Sequence, residues 1–186
     1  MIPTFDICLK HMEDIGMLEN IKAHSIMVEK VARLIASSLR KKGISLSLQK
    51  TTAGALLHDI GKSLCLEGGE AHAARGREIC HDRGFHEIAD IVGEHIRLQG
   101  FDPNGPILEK EVVYYADKRV NHDAVVSLEE RLDYLLGRYG RGKEPICQMI
   151  RKNFDLCREV ERKLFGPLDF QSETVGEKVK VLERGE

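Results

Sequence analysis

The apolar positions of the chain recur at intervals of three and four residues along most of its length. This spacing is typical of one face of an α-helix, and no stretch shows the sustained alternation of a β-strand. Glycine, proline and capping residues separate the periodic stretches. The pattern predicts a short first helix over residues 4–14 and further helices over residues 20–42, 48–60, 70–83, 85–98, 108–121, 127–139 and 143–164. The sequence therefore predicts an all-α fold of about seven helices in a single domain.

Several apolar helix faces are interrupted by a residue that can bind a metal ion. The clearest case runs from Ala55 to Lys62, where an apolar helix ends by placing an imidazole beside a carboxylate. The full set is His24, His58, Asp59, His72, His95 and Asp117. A single inward histidine is more often a hydrogen-bonded core residue. Six imperfectly satisfied burials would each cost ~1 to 3 kcal/mol, whereas one or two bound metal ions satisfy all of them together.

Two further His-Asp doublets show that the dipeptide alone proves nothing. His81-Asp82 lies in a polar helix end followed by glycine, and His122-Asp123 follows an asparagine in a predicted turn. Both doublets are predicted to be solvated or capping residues. Only the doublet at residues 58 and 59 follows an apolar helix.

Length and charge limit the kind of protein. A chain of 186 residues suits one domain, and a net charge of -2 argues against wrapping nucleic acid. The domain is predicted over residues 1–165, with a core at 21–140, and residues 166–186 form a polar tail that is either disordered or crosses to a partner chain. The five cysteines form no CxxC pair, and no apolar run approaches the ~20 residues of a membrane span. We therefore expect a soluble cytoplasmic protein with reduced thiols.

The candidate ligands are imidazoles and carboxylates without thiolates. Such a set suits Fe, Mn, Zn, Co or Mg better than a structural zinc site built from cysteines. Water bound between two such ions becomes hydroxide near neutral pH, and the ions also hold phosphoryl oxygens. The ligand set therefore favours hydrolytic chemistry.

The order His24, His58-Asp59, Asp117 resembles the H…HD…D signature of the HD-domain metal-dependent phosphohydrolase superfamily. Residues 58–62 also match its HDIG variant, and the resemblance covers roughly residues 21–139. It implies an all-α fold in which these four residues hold a first divalent metal ion. In members with two ions, Asp59 would bridge them, and His72 and His95 match the two further histidines by order and context. The resemblance thus favours a dinuclear site.

The resemblance also implies a substrate class. Lys62 resembles a lysine that meets substrate phosphate in such members, so Asp59 and Lys62 are the candidate catalytic residues; the alternative for Lys62 is a solvated lysine at a helix end. No HHE or GYP segment of the cyclic dinucleotide phosphodiesterases follows His95. A small stand-alone group that includes diadenosine polyphosphate hydrolases is most similar. We expect a small phosphorylated substrate of nucleotide type, with no membrane partner and with a homodimer left open.

Other basic residues are weaker candidates for a contact with substrate phosphate. Arg75, Lys118 and Arg119 lie near candidate ligands, but arginine and lysine are more often exposed or ion-paired. Arg131 is assigned, with Glu130, to helix capping and structural pairing. Two rival functions stay open at this point: a di-iron oxygenase of the same superfamily, and a non-catalytic metal or nucleotide sensor.

Overall fold

The computed structural model describes residues 1–65 and 71–184. The predicted loop over residues 64–69 and the predicted helix start at Glu70 lie mostly outside these residues. Nine α-helices occur in the described part of the chain, together with one β-hairpin. The helices are α1 (Phe5–Asp14), α2 (Glu19–Lys41), α3 (Leu48–Leu57), α4 (Ala71–Asp82), α5 (His86–Glu94), α6 (Glu109–Lys118), α7 (Leu128–Leu135), α8 (Glu144–Phe165) and α9 (Val175–Arg184). The all-α prediction is confirmed.

Side-chain caps explain several helix starts. The Thr4 and Ser47 hydroxyls accept hydrogen bonds from backbone N–H groups in the first turns of α1 and α3. Ser127 and Glu130 form the predicted capping box at the start of α7. The sequence also predicts Asn20 as the cap of α2, which is wrong because α2 begins at Glu19 and Leu18 precedes it without a side-chain cap.

The core lies where α2, α3, α5 and α6 pack against one another. Fully buried aliphatic residues line these faces, among them Val28, Leu56, Ile88 and Val112. The close approach of α5 to α3 depends on Gly54, because a Cβ atom there would lie 2.5 Å from Cγ2 of Ile91. Helices α3 and α5 therefore lie close together in the middle of the bundle. None of the described helices has both the length and the hydropathy of a membrane span.

A β-hairpin follows α6 where the sequence predicts continued helix to residue 121. Its strands are β1 (Val120–Asn121) and β2 (Ala124–Val125), which pair antiparallel. Helix α6 ends at Lys118, and His122 takes a left-handed backbone conformation (φ +55°) in the turn. The expectation of no strands was wrong here, because strands of two residues are too short to produce a visible alternation.

The segment after α8 is ordered where the sequence showed little pattern. A 3-10 turn at Ser172–Thr174 leads into α9, which packs against α2. Val175 and Val179 are buried one helical turn apart. Helix α9 was not predicted, because the sequence after residue 165 is polar and only weakly patterned.

Candidate metal centre

The six candidate ligands come together in one cleft between five helices. His24 lies in the second turn of α2, His58 and Asp59 directly follow α3, His72 lies in α4, His95 directly follows α5, and Asp117 is in the last turn of α6. The four histidines and Asp59 are buried, while the Asp117 side chain is 13% exposed. The fold therefore gathers residues that are up to 93 positions apart in the sequence.

Two groups of ligand atoms share the Asp59 carboxylate. In each group one ligand atom per residue lies within 4.8 Å of the others. The groups are His24 with His58 and Asp59, and His72 with His95 and Asp59. Either group offers three of the four protein ligands typical of imidazole and carboxylate sites. The two groups are therefore two candidate positions for a metal ion that share one carboxylate.

The two oxygens of Asp59 face different histidines. Oδ1 lies 3.1 Å from Nε2 of His72 and 3.5 Å from Nε2 of His95. Oδ2 lies 3.5 Å from Nε2 of His58. On the far side of His58, the Asp117 Oδ1 atom is 3.6 Å from the same Nε2 and 3.1 Å from Nε2 of His24. This arrangement is the one expected of a bridging carboxylate between two ligand groups.

Backbone carbonyls fix the orientation of three of the imidazole rings. In each ring Nδ1 lies at hydrogen-bond distance from a carbonyl oxygen, so Nδ1–H donates and Nε2 keeps its lone pair for the cleft. The pairs are His58 with Ala55 and His95 with Val92, both at 2.7 Å, and His24 with His122 at 2.9 Å. The rings are thus held in the tautomer that a metal site needs.

Some of the polar atoms in this cleft have no partner among the described residues. Nε2 of His58 is fully buried and has no hydrogen-bond partner among the described residues. Nε2 of His72 and Nε2 of His95 lie 3.2 Å apart, and both atoms face Oδ1 of Asp59. Converging lone pairs and carboxylate oxygens are best satisfied by cations. The residues present therefore fit one or two divalent metal ions.

Local electrostatics keep the two carboxylates ionised. Burial alone would raise the pKa of Asp59, but the imidazoles of His58, His72 and His95 around the carboxylate outweigh burial and hold its pKa well below the usual range. Burial would likewise raise the pKa of Asp117, and the Lys118 ammonium outweighs it. Burial would lower the pKa of His58, but the neighbouring Asp59 and Asp117 carboxylates outweigh burial and raise it. Burial lowers the pKa of His95 to about 4. At neutral pH the carboxylates are therefore ionised and His95 is neutral, as ligands must be.

A close backbone contact joins α4 to the end of the HDIG segment. A Cβ atom on Gly61 would lie 2.4 Å from the backbone oxygen of His72 and 2.8 Å from the backbone nitrogen of Gly76. The carbonyl of a ligand residue thus occupies the space that any other side chain would need. Gly61 is therefore what allows α4 to bring His72 into the cleft.

Basic side chains surround the ligands. The Lys62 ammonium lies 2.7 Å from Oδ2 of Asp59, and the Lys118 ammonium lies 3.1 Å from Oδ2 of Asp117 while also donating to the carbonyl oxygen of His95. Lys118 and Arg119 are each only 4% exposed. Of the two expected alternatives, exposed or ion-paired, both residues show the second, because Lys118 pairs with Asp117 and Arg119 with Glu161. Arg75 is at the surface and paired with Glu78 at 2.8 Å, as expected.

Arg131 takes part in structural pairing, as expected, but it does not contribute to the helix cap. The Glu130 carboxylate accepts from Ser127 in the capping box, while Arg131 extends in another direction and reaches Asn121 and Asp117. One signal could have revealed this. Arg131 lies three residues after Leu128 and four before Leu135, which is an inward position on α7.

The other two His-Asp doublets lie outside the cleft. The side chains of residues 81, 82, 122 and 123 are exposed, and His81 contacts His86 instead. The backbone of His122 does take part in the site, because its carbonyl oxygen accepts from His24.

This arrangement is accompanied by a match to a known family. The HD domain family matches residues 21–121, which are more than half of the chain. The chain belongs to the HD-domain family, whose members are metal-dependent hydrolases.

Individual relatives add detail. An uncharacterised protein of Methanocaldococcus jannaschii is 28% identical over 151 residues, which make up 74% of this chain and 88% of that protein. Ribonuclease Y of Thermosipho melanesiensis is 40% identical over 78 residues, or 41% of this chain and 14% of the enzyme. A tRNA (cytidine(56)-2'-O)-methyltransferase of Picrophilus torridus is 28% identical over 145 residues, or 71% of this chain and 40% of that protein. The chain thus spans only a minor part of the last two relatives, and no solved structure matches it.

Proposed function

We propose that this protein is a metal-dependent phosphohydrolase that cleaves a phosphoester or phosphoanhydride bond in a nucleotide-like substrate, at a site with two divalent ions. The observation that carries the proposal is the Asp59 carboxylate, whose oxygens face two separate groups of histidines. A histidine cluster with a purely structural role in the core would not need one carboxylate shared between two groups of histidines.

The residues divide into two roles. His24, His58, Asp59 and Asp117 would hold one ion, and His72, His95 and Asp59 would hold the other. Bound divalent ions would supply a water molecule of lowered pKa and positive charge for phosphoryl oxygens. Lys62 lies beside Asp59 and is the nearest side-chain cation to the shared carboxylate, so its ammonium would bind a substrate phosphoryl oxygen.

The relatives support a phosphorus-containing substrate without identifying it. Ribonuclease Y carries the matched region as a small part of a larger enzyme whose name states that it acts on RNA. For the present chain, the net charge of -2 favours a small substrate over a long nucleic acid. A test panel should therefore include nucleoside monophosphates, dinucleoside polyphosphates, cyclic nucleotides and short oligoribonucleotides.

The proposal is tested by metal analysis followed by turnover measurements. Protein purified without oxygen and reloaded with Mn²⁺, Fe²⁺, Zn²⁺, Co²⁺ or Mg²⁺ should bind about two ions per chain and hydrolyse at least one member of the panel. Asp59→Asn should abolish turnover and lower metal binding. Asp82→Asn is the matched control, because it changes an exposed aspartate that also follows a histidine.

Three outcomes would contradict the proposal. Full activity of Asp59→Asn would remove the shared carboxylate from the site. A panel that stays silent with every metal would favour a sensor. Turnover that requires dioxygen would indicate an oxygenase, since hydrolysis proceeds equally well without oxygen.

A further inference from the structure

Arg131 is a nearly buried cation beside the metal centre whose hydrogen-bonding groups are not all used. Its side chain is 12% exposed and extends from α7 towards the end of α6. Nη1 donates to Oδ1 of Asn121 at 2.8 Å. Nη2 lies 3.8 Å from Oδ1 of Asp117, the oxygen that also faces His24 and His58. This separation exceeds hydrogen-bond distance.

One edge of the Arg131 guanidinium therefore has donors without acceptors among the described residues. Its Nε is buried and has no hydrogen-bond partner among the described residues. In a guanidinium group, Nε–H and one Nη2–H point along the same edge, which is the pair of donors that binds phosphate or carboxylate in a bidentate way. Nη1 holds the group in place through Asn121. The open edge includes Nη2, the atom nearest to Asp117.

Comparison with other arginines shows that this open edge is unusual here. Arg119 is just as buried, but its nitrogens donate to the carbonyl oxygens of Val126 and Ser172 and to the Tyr115 hydroxyl. Arg77 also has an unpartnered Nε, yet its Nη2 is paired with the Asp90 carboxylate at 3.0 Å. Arg131 has neither a complete set of carbonyl acceptors nor a carboxylate at hydrogen-bond distance. Because Arg131 lies beside the candidate metal ligand Asp117, its unpaired donors could bind an anion at the metal centre.

Two neighbours keep the guanidinium in this position. The Tyr134 ring lies 5.6 Å from the guanidinium carbon, within the range of a cation–π contact. The Asn121 side chain is carried by β1, one residue before the turn whose carbonyl accepts from His24. The hairpin and α7 thus hold Arg131 rigidly, and little side-chain entropy remains to be lost on binding an anion.

We propose that Arg131 binds a phosphoryl oxygen of the substrate beside Asp117. The inference rests on the proposed function and adds to it a second cationic contact. An anion held by ions at Asp117 would lie within reach of Nη2, because Asp117 Oδ1 is itself only 3.8 Å from that nitrogen. The substrate would then have two cationic contacts, Lys62 beside Asp59 and Arg131 beside Asp117.

The test uses inorganic phosphate as the probe and does not depend on turnover. Mn²⁺-loaded protein is titrated with phosphate by calorimetry, and metal content and thermal unfolding are measured on the same samples. Arg131→Gln should keep its metal content and raise the phosphate Kd by about 10- to 100-fold, as expected for loss of a hydrogen-bonded charge. Arg131→Lys should recover part of the loss, because the charge stays while the fork is lost.

A matched control is an arginine far from the ligands. Arg158 on α8 is half-exposed and paired with Asp155 at 2.9 Å, so Arg158→Gln should bind phosphate like the unmodified protein. Unchanged phosphate binding in Arg131→Gln with full metal content would overturn the inference. Loss of metal in both Arg131 variants would also overturn it, because Arg131 would then be a positioning residue for Asp117. Absence of phosphate binding in the unmodified protein would overturn it as well.

The result also separates this inference from the proposed function. If no phosphorylated compound is hydrolysed but Arg131→Gln still weakens phosphate binding, the proposed activity fails and the Arg131 contact stands. If hydrolysis is found and the variant binds phosphate normally, the activity stands and the contact is wrong.

Discussion

Substitution of Gly61 by alanine should separate the two halves of the metal centre. Gly61 has an ordinary right-handed backbone (φ -81°, ψ -10°), so alanine is compatible with its conformation. The difficulty is space, because the new Cβ would lie 2.4 Å from the backbone oxygen of His72. Real Cβ contacts stay above 3.0 Å, so α4 or the turn must move by at least 3.0 − 2.4 = 0.6 Å.

This displacement is large for a metal ligand. Metal–ligand distances are held within about 0.2 Å, so a shift of the backbone that carries His72 should weaken binding of the ion that His72 and His95 share. Overpacking of this kind costs ~1 to 3 kcal/mol, which for a chain of this size lowers Tm by about 2 to 12 °C. The ligands of the other ion, His24, His58 and Asp117, do not lie on α4. Metal content should therefore fall from about two ions towards one.

The assay is metal analysis of protein reloaded with Mn²⁺ and dialysed, together with thermal unfolding. Gly137→Ala is the control, because a Cβ there meets no heavy atom within 4 Å. It should keep both ions and its Tm. Two tightly bound ions and an unchanged Tm in Gly61→Ala would refute the argument that α4 is seated on this glycine.

Three further predictions concern individual side chains. His72→Ala should lower bound metal from about two ions to one, whereas His24→Ala should weaken the other ion; two retained ions in His72→Ala would contradict the dinuclear arrangement. Lys62→Ala should leave metal content unchanged and lower kcat/KM by ~10- to 1000-fold, with partial recovery in Lys62→Arg, and unaltered kinetics would assign Lys62 to the helix end alone. The pKa of His95 is lowered by burial to about 4 from 6.5, so its contribution to the stability of metal-free protein is complete above pH 6.5 and is lost as the pH falls towards 4. By pH 5 the free energy of unfolding has fallen by about 2 kcal/mol. Urea unfolding at pH 7 and pH 5 should therefore show a smaller fall in the free energy of unfolding for His95→Asn than for the unmodified protein.

The sequence was informative about the fold because most of these helices bury one regular face. The stripe on α2, including Val28, Val31 and Ile35, has the spacing that a helix on a core requires, and all three are buried. Helix ends were less accurate. The predicted helix over residues 48–60 ends at Leu57, since a tight turn with Ile60 N–H donating to the Leu57 carbonyl then reverses the chain.

The six candidate ligands could be listed from the sequence because each interrupts an apolar face. What the sequence could not supply was their distances, which depend on how α4 and α5 pack near α3. The burial of the surrounding basic residues could not be predicted for a related reason. Lys118, Arg119 and Arg131 have long side chains that are usually solvated, so nothing local indicated that tertiary packing would bury them.

Helix α9 has a consequence for how the protein reaches its folded state in a cell. It packs on α2, the helix that carries His24, and Arg119 next to the hairpin donates to the Ser172 carbonyl just before α9. Because ribosomes synthesise chains from the amino terminus, every residue of the metal centre is made before the segment that covers the back of α2. A nascent or truncated chain without this segment would expose apolar surface that chaperones and proteases recognise. The six candidate ligands would thus all be synthesised before the surface of α2 that α9 covers is buried.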